Sequence, residues 1–389
     1  MNRFSLRLRQ SNPFYFLSAA CMLGGCLLIT SARTYSNIPA AGDLWLAAIL
    51  NVYEAALIAL AWFLVRRCGL MHDGAVLLAL EAFFLVDVTF LNAEAITGNF
   101  IPGVALNILL FMAAMLKLFC MMKIAGVSPR DGRFAAIAVQ LAAIFIVPFV
   151  FRHFDHGDLS TRFFYAAWWA VGLFIPACFT LSQLRSPALA QSQFNGIVRL
   201  LCVLPWLSFV MHVGILHYVY RVDFFAAEVA PVLLGLACLM HHVRPSRFVS
   251  RGELFFLKIT LPMAAVVVSL FDADALSIAI GKSGRFVLTP AELGAAGAYL
   301  AYIYCFARPY AVQCIAAGAA AGLAYCLGPS SQQLGESIGK CWNWVSSAVW
   351  SVIPKTAISG GIAAIAAAFA FLGLGAAVSL RRRSNKSGS

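Results

Sequence analysis

Apolar stretches long enough to cross a lipid bilayer recur along the whole chain, and no other feature restricts its folding so severely. Inside hydrocarbon a backbone must satisfy its own N–H and C=O groups, so a crossing segment is a helix of about 17 to 25 mostly uncharged residues. Twelve such stretches are predicted, at approximately 14–30, 44–65, 75–92, 101–122, 134–151, 162–182, 197–218, 224–242, 254–270, 290–306, 310–328 and 356–380. Of the 389 residues, 62% are hydrophobic and 11% charged, against roughly 45 to 50% and 25% in an ordinary soluble domain. So few charged side chains cannot coat a water-soluble core of this size. The expectation is an all-α polytopic transmembrane bundle, a single integral membrane domain over 1–389 with no soluble domain.

The net charge of +12 would suit a nucleic acid only if the basic residues shared one exposed face, whereas they fall in short clusters between apolar runs. Their distribution reports topology instead. One set of segments holds Arg3, Arg7 and Arg9; Arg66 and Arg67; Lys117, Lys123, Arg130 and Arg133; Arg185 and Arg199; Arg244, Arg247, Arg251 and Lys258; Arg308; and Arg381, Arg382, Arg383 and Lys386. The opposite set has only Arg33, Arg152, Arg162, Arg221, Lys282, Arg285, Lys340 and Lys355. Both termini are therefore expected in the cytoplasm. Residues 14–30 follow a basic stretch and end at Thr30-Ser31-Ala32, so a cleaved signal peptide is the alternative to an anchor there.

Several local signals refine this plan. Thr289-Pro290-Ala291-Glu292 reads as a capping box with proline in the first helical position, which starts the tenth span. Arg308-Pro309 makes a tight turn after it. In the outer loop 329–355, Leu334, Ile338, Cys341, Val345 and Val349 recur at helical spacing beside Trp342, Trp344 and Trp350, which predicts an interfacial helix over about 331–350. The eleven cysteines lack CxxC pairing and mostly lie in apolar runs, as small buried hydrophobes do. Gly318 and Gly322 form a GxxxG, for packing within the bundle or for a homo-oligomer contact. Pro148, Pro176, Pro205, Pro231 and Pro262 lie in or at the ends of spans and can kink them.

Ionisable groups inside a membrane are costly, so each is a candidate for function as well as for a structural ion pair. By the helical rise, Glu54 and Glu81 come to a similar depth, roughly 15 Å below the outer surface. Lys117 lies near the depth of Glu81. Two readings follow: a Glu81–Lys117 pair locking the third and fourth spans, or a Glu54–Glu81 carboxylate pair able to carry a proton. Asp87 and Glu94 share one helical face further out. A second group, His212, His217, Arg221, Asp223 and Glu228, gathers near the outer ends of the seventh and eighth spans, where core histidines and headgroup-level charges are the simpler reading.

Other constellations are weaker. Arg152-His153-Phe154-Asp155-His156-Gly157-Asp158 has metal-ligand chemistry, but a short boundary loop of this kind is ordinarily solvated, with Asp158 or Ser160 capping the sixth span. A haem between His212 or His217 and His241 or His242 fails on depth. Gly281-Lys282-Ser283 lacks the upstream glycine of a P-loop, Leu276 standing in its place. Asp272-Ala273-Asp274 has the chemistry of an acidic metal-binding pair but lies far from the first outer loop. No cofactor or metal is expected.

The opening Asn12-Pro13-Phe14-Tyr15-Phe16-Leu17-Ser18-Ala19, with Gly25-Cys26 later in the span, and an Ala-rich last span ending in Arg381-Arg382-Arg383, resemble some uncharacterised bacterial multi-pass inner-membrane proteins. That resemblance covers about a tenth of the chain and implies no activity, only placement in a bacterial inner membrane. Arg66-Arg67-Cys68-Gly69-Leu70-Met71-His72-Asp73 departs from the signature of major facilitator transporters, and the outer loops are shorter than those of O-antigen ligases. The leading expectation is a permease of transporter or flippase type for a small or lipid-linked solute, proton-coupled through Glu54, Glu81 or Asp87 with Lys117 nearby. The alternatives are an outer-face enzyme on a lipid-linked sugar or acyl substrate, using His212, His217, Arg221 and Glu228, and a non-catalytic scaffold or sensor. Expected partners are membrane lipid and the solute. Alkaline phosphatase fused after Lys386 is predicted to be inactive, and fused after Arg285 active; the reverse result contradicts the topology.

Overall fold

The computed structural model describes residues 12–36, 41–85, 100–128, 132–151, 175–182, 194, 196–204, 207, 229–243, 245, 250–270, 290–327, 340 and 358–387. Among these residues every regular element is helical. The elements are α1 (Pro13–Ser36), α2 (Ala41–Arg66), α3 (Met71–Phe84), α4 (Phe100–Ile124), α5 (Gly132–Phe151), α6 (Ile175–Ser182), α7 (Ala230–Met240), α8 (Arg251–Leu270), α9 (Pro290–Tyr302), α10 (Ala311–Leu327) and α11 (Ile358–Ser387). Four stretches within them are long and apolar enough to cross a membrane: Pro13–Thr30, Trp45–Arg66, Ile101–Ile124 and Ile358–Arg381. Four such helices make this a membrane protein, all-helical among its described residues. Helices also occupy the described parts of the other expected spans. The interfacial helix expected over 331–350 lies outside the described residues.

The chain falls into two compact units. The first comprises Met1–Pro129, Gln191–Leu204 and Val349–Ser389. Its longest helix contact joins α1 to α11. Asn12 caps α1 by accepting from the Phe14 N–H at 3.2 Å, with Pro13 in the first helical position, where no N–H is missed. The Asn12 amide meanwhile donates to Gly375 O at 2.6 Å and Ser379 Oγ at 3.1 Å. Ser18 donates to Ala368 O at 2.6 Å, and Gly25 meets Gly361. Contacts that advance along α1 while retreating along α11 make the pair antiparallel, so Asn12 and Ser379 lie at the same end. A Cβ on Gly25 would stand 2.8 Å from Gly361 O, and one on Gly361 2.9 Å from Gly25 O, so neither position has room for a side chain.

Helices α2 and α3 form a hairpin. Gly69, at φ +67°, takes the left-handed conformation that ends α2, and Leu70 N–H donates to Leu64 O at 2.9 Å. Gly74 then packs directly on Val65, closing the base of the hairpin. At its other end Tyr53 stacks edge-on against Phe84 and against Phe369 of α11, both at 5.4 Å. The Tyr53 hydroxyl donates to Ser18 Oγ at 2.7 Å. Helix α4 packs along α2 and ends in a Schellman turn: Gly126 has φ +76°, Val127 N–H donates to Met122 O at 2.8 Å and Gly126 N–H to Lys123 O at 3.3 Å.

The second unit comprises Arg130–Ala190 and Pro205–Ala348. Here α5 packs on α6, α7 on α8, and α8 on the hairpin of α9 and α10. The turn expected at Arg308-Pro309 is present as a π-helical segment, Ile303–Ala307, followed by a 3-10 turn, Arg308–Tyr310. The Tyr299 hydroxyl bridges the hairpin to Cys314 O at 2.7 Å, and its ring fills the space beside Gly318, so the glycine of the GxxxG serves packing inside this unit. Ser250 and Glu253 make a reciprocal capping box on α8: Ser250 N–H donates to the carboxylate at 2.6 Å and Glu253 N–H to Ser250 Oγ at 3.2 Å. Those bonds hold the exposed Glu253 carboxyl below its ordinary pKa. His241 hydrogen-bonds the Tyr302 hydroxyl at 2.8 Å, which donates to Lys258 O at 2.6 Å, placing this histidine in a structural network.

Gly361→Val is expected to lower stability by about 1 to 3 kcal/mol through overpacking against α1. Gly24→Ala, where no atom lies within 4 Å of the added carbon, should be close to neutral. Thermal unfolding in detergent separates the two.

Candidate functional site

A cation within an apolar helix must find a partner, because an uncompensated charge in hydrocarbon is expensive. Lys117 stands on the buried stripe of α4 that includes Asn107, Leu110, Ala114, Leu118 and Met121. Its ammonium forms an ion pair with Glu54 Oε2 of α2 and donates to Asn51 Oδ1 at 2.9 Å. Asn51 lies one turn before Glu54, so both project from the same side of α2. Its own amide donates to Ala47 O at 2.8 Å, which leaves the side-chain oxygen turned toward Lys117. The pair is almost entirely withdrawn from solvent, with side-chain exposure of 9% for Lys117 and 0% for Glu54.

Glu81, also fully buried, sits at the matching height on α3. Its carboxyl group lies within electrostatic range of both Glu54 and Lys117, and neither of its oxygens makes a hydrogen bond of good geometry. One ammonium and two carboxyl groups thus share a single buried site. With one carboxyl ionised and the other protonated its net charge is zero, the state least costly in a medium of low polarity. Tyr53, next to Glu54 in sequence, turns the other way, toward Ser18, Phe84 and Phe369.

Beyond the ion pair, a cavity of about 430 Å³ opens between α2 and α4. Its walls are mainly apolar, from Ile58, Ala59 and Trp62 on one helix and Leu116, Cys120 and Ile124 on the other. Lys117 borders it at the level of the cluster, while Arg66 and Lys123 border it at the helix ends. Lys123 is held 5.9 Å above the Phe119 ring. No acidic residue is among the described residues that line this cavity.

Matching depth on the sequence brought Glu54, Glu81 and Lys117 together as expected, but the lysine's partner is Glu54 rather than Glu81. Asn51 was missed, and its three-residue spacing from Glu54 was the available signal. Asp87, His212, His217, Arg221, Glu228 and the loop 152–158 lie outside the described residues. Among the described residues no group of His, Cys, Asp and Glu side chains is placed to hold a metal ion. Comparison of the chain with protein-family models, with curated proteins and with solved structures finds no match.

Lys117→Leu, which leaves Glu54 buried without its cation, should cost about 3 to 5 kcal/mol of stability. Adding Glu54→Leu should recover most of that loss. Unfolding of the single and double variants in detergent measures it; an unaffected single variant contradicts the buried pair.

Proposed function

We propose that this chain is a permease of the inner membrane, with both termini in the cytoplasm, that moves a small or lipid-linked solute and couples that movement to a proton held by Glu54 and Glu81. The observation that supports it is the cluster itself: two carboxyl groups and one ammonium, buried together in three apolar helices, beside a cavity that reaches the same lysine. Such a site changes its charge by one when a proton arrives, at a fixed position within the helices. Protonation of the remaining carboxylate releases Lys117 from Glu54, and loss of the proton restores the bond between α2 and α4. A carrier needs two states whose balance a bound proton shifts, and this bond supplies the differential interaction.

An outer-face enzyme would require His212, His217, Arg221 and Glu228 to converge, and no described residue bears on that arrangement. In vesicles holding the purified chain and a trapped pH indicator, fractions of a cell extract containing the solute are expected to drive proton entry. Glu81→Gln and Glu54→Gln, checked for folding by their melting behaviour, should abolish the signal. Proton entry that persists in both variants contradicts the coupling.

A further inference from the structure

We infer that the cavity between α2 and α4 is the solute site, and that its ligand is a soluble organic monoanion with an apolar body, such as a monocarboxylate, whose charge takes the place of Glu54 at Lys117. This rests on the permease reading of the same cluster and names the substrate class.

The sign of the lining comes first. Arg66 and Lys123 border the cavity, and no carboxylate does so among its described lining residues, while the Lys117 charge is balanced by Glu54 until that carboxylate takes a proton, so the cavity attracts anions and repels cations. The walls come second. A bare inorganic ion gains nothing from Ile58, Trp62 and Leu116, whereas an apolar body buried against them does. The volume of about 430 Å³ falls within the range of roughly 300 to 1,000 Å³ typical of small-molecule sites.

The arrangement of the three cations orders the steps. Arg66 ends α2 and Lys123 lies in the last turn of α4, at the mouth. Lys117 lies further in, about 9 Å along the axis from Lys123 by the helical rise. The flank between them is open, with Trp62 and Leu116 47% and 64% exposed, so an anion drawn to Arg66 and Lys123 can move along the apolar stretch to Lys117. A membrane lipid whose phosphate is held at the mouth places its tail, not its charge, along that stretch, so it does not reach the lysine.

Charge balance selects a monoanion. Before entry, the Lys117 ammonium pairs with the Glu54 carboxylate and Glu81 holds a proton, for a net charge of zero. When the anion arrives with one proton, the proton binds Glu54, and Lys117 transfers its hydrogen bonds from Glu54 to the incoming carboxylate. The site again sums to zero, with ammonium and solute carboxylate paired and both glutamates protonated. A neutral solute arriving with a proton would leave one unmatched positive charge in the helices, and a cation would leave two. One negative charge and one proton therefore travel together, and no other co-reactant is needed.

The test uses the full chain in phosphatidylcholine nanodiscs and 4-bromobenzoate, whose bromine quenches nearby tryptophan emission. Saturable quenching is expected in the unaltered chain, with the corresponding component absent in Trp62→Phe and binding weakened by about tenfold in Arg66→Gln/Lys123→Gln. Lys117→Gln should abolish binding. Should that variant fail to fold, Glu54→Gln serves instead: it keeps Lys117 and removes its competitor, so binding should tighten by about tenfold and lose its accompanying proton uptake. Equal saturable binding of the neutral 4-bromobenzyl alcohol, or unchanged binding in Arg66→Gln/Lys123→Gln, overturns the inference. So does a site that responds only to added phosphatidylglycerol, which would make the ligand a lipid headgroup. Binding of 4-bromobenzoate without proton uptake keeps the site and removes the coupling of the permease reading; proton-coupled uptake in vesicles without 4-bromobenzoate binding removes this inference and keeps the coupling.

Discussion

The positive charge of Lys117 is the constraint on which the arrangement of the first unit depends. A lysine that deep in an apolar helix leaves α4 few rotational settings, because only one face of α2 offers Glu54 and Asn51 together. Helix α3 is drawn in as well, since Glu81 is buried beside the same pair. Ordinary packing of Leu and Ala tolerates rotation at a cost of about 1 to 3 kcal/mol. Exposing one half of a buried ion pair costs about 3 to 5 kcal/mol, so charge sets the register here and shape adjusts to it.

The sequence made the helices legible because their length is dictated by the membrane, and made the depth of each charge legible because helical rise is nearly constant. It did not reveal rotation about the helix axis. Glu54 and Glu81 have the same depth, so distance along the chain cannot decide which of them Lys117 meets. That choice depends on how α2 turns toward α4, which the small residues Ala55 and Ala59 permit on the face they share with the cavity. The division into two units was also hidden, since neither a soluble linker nor a change of composition marks it. Capping was partly legible. The Ser250–Glu253 box on α8 is visible as Ser-x-x-Glu spacing.

The amino-terminal Asn-Pro-Phe-Tyr carries two duties that a linear reading separates poorly. Asn12 caps α1, a role that asparagine before proline suits. The same side chain, with Tyr15, binds Ser379 of α11, which nothing in the motif announces. Conversely, the glycines of α11 are legible as small residues but not as the precise seats of Gly25 and Tyr15.

That pairing bears on biogenesis. The bond between Ser18 and Ala368 spans 350 positions, so α1 leaves the ribosome long before its main companion exists. At about 5 to 20 residues per second of translation, the interval is tens of seconds. During that time its glycine-notched flank and the phenol of Tyr53 wait in lipid or beside the insertion machinery, and the unit around Lys117 stays ajar until α11 slides into place. Truncated or stalled nascent chains would thus expose a ready-made mark for membrane quality control.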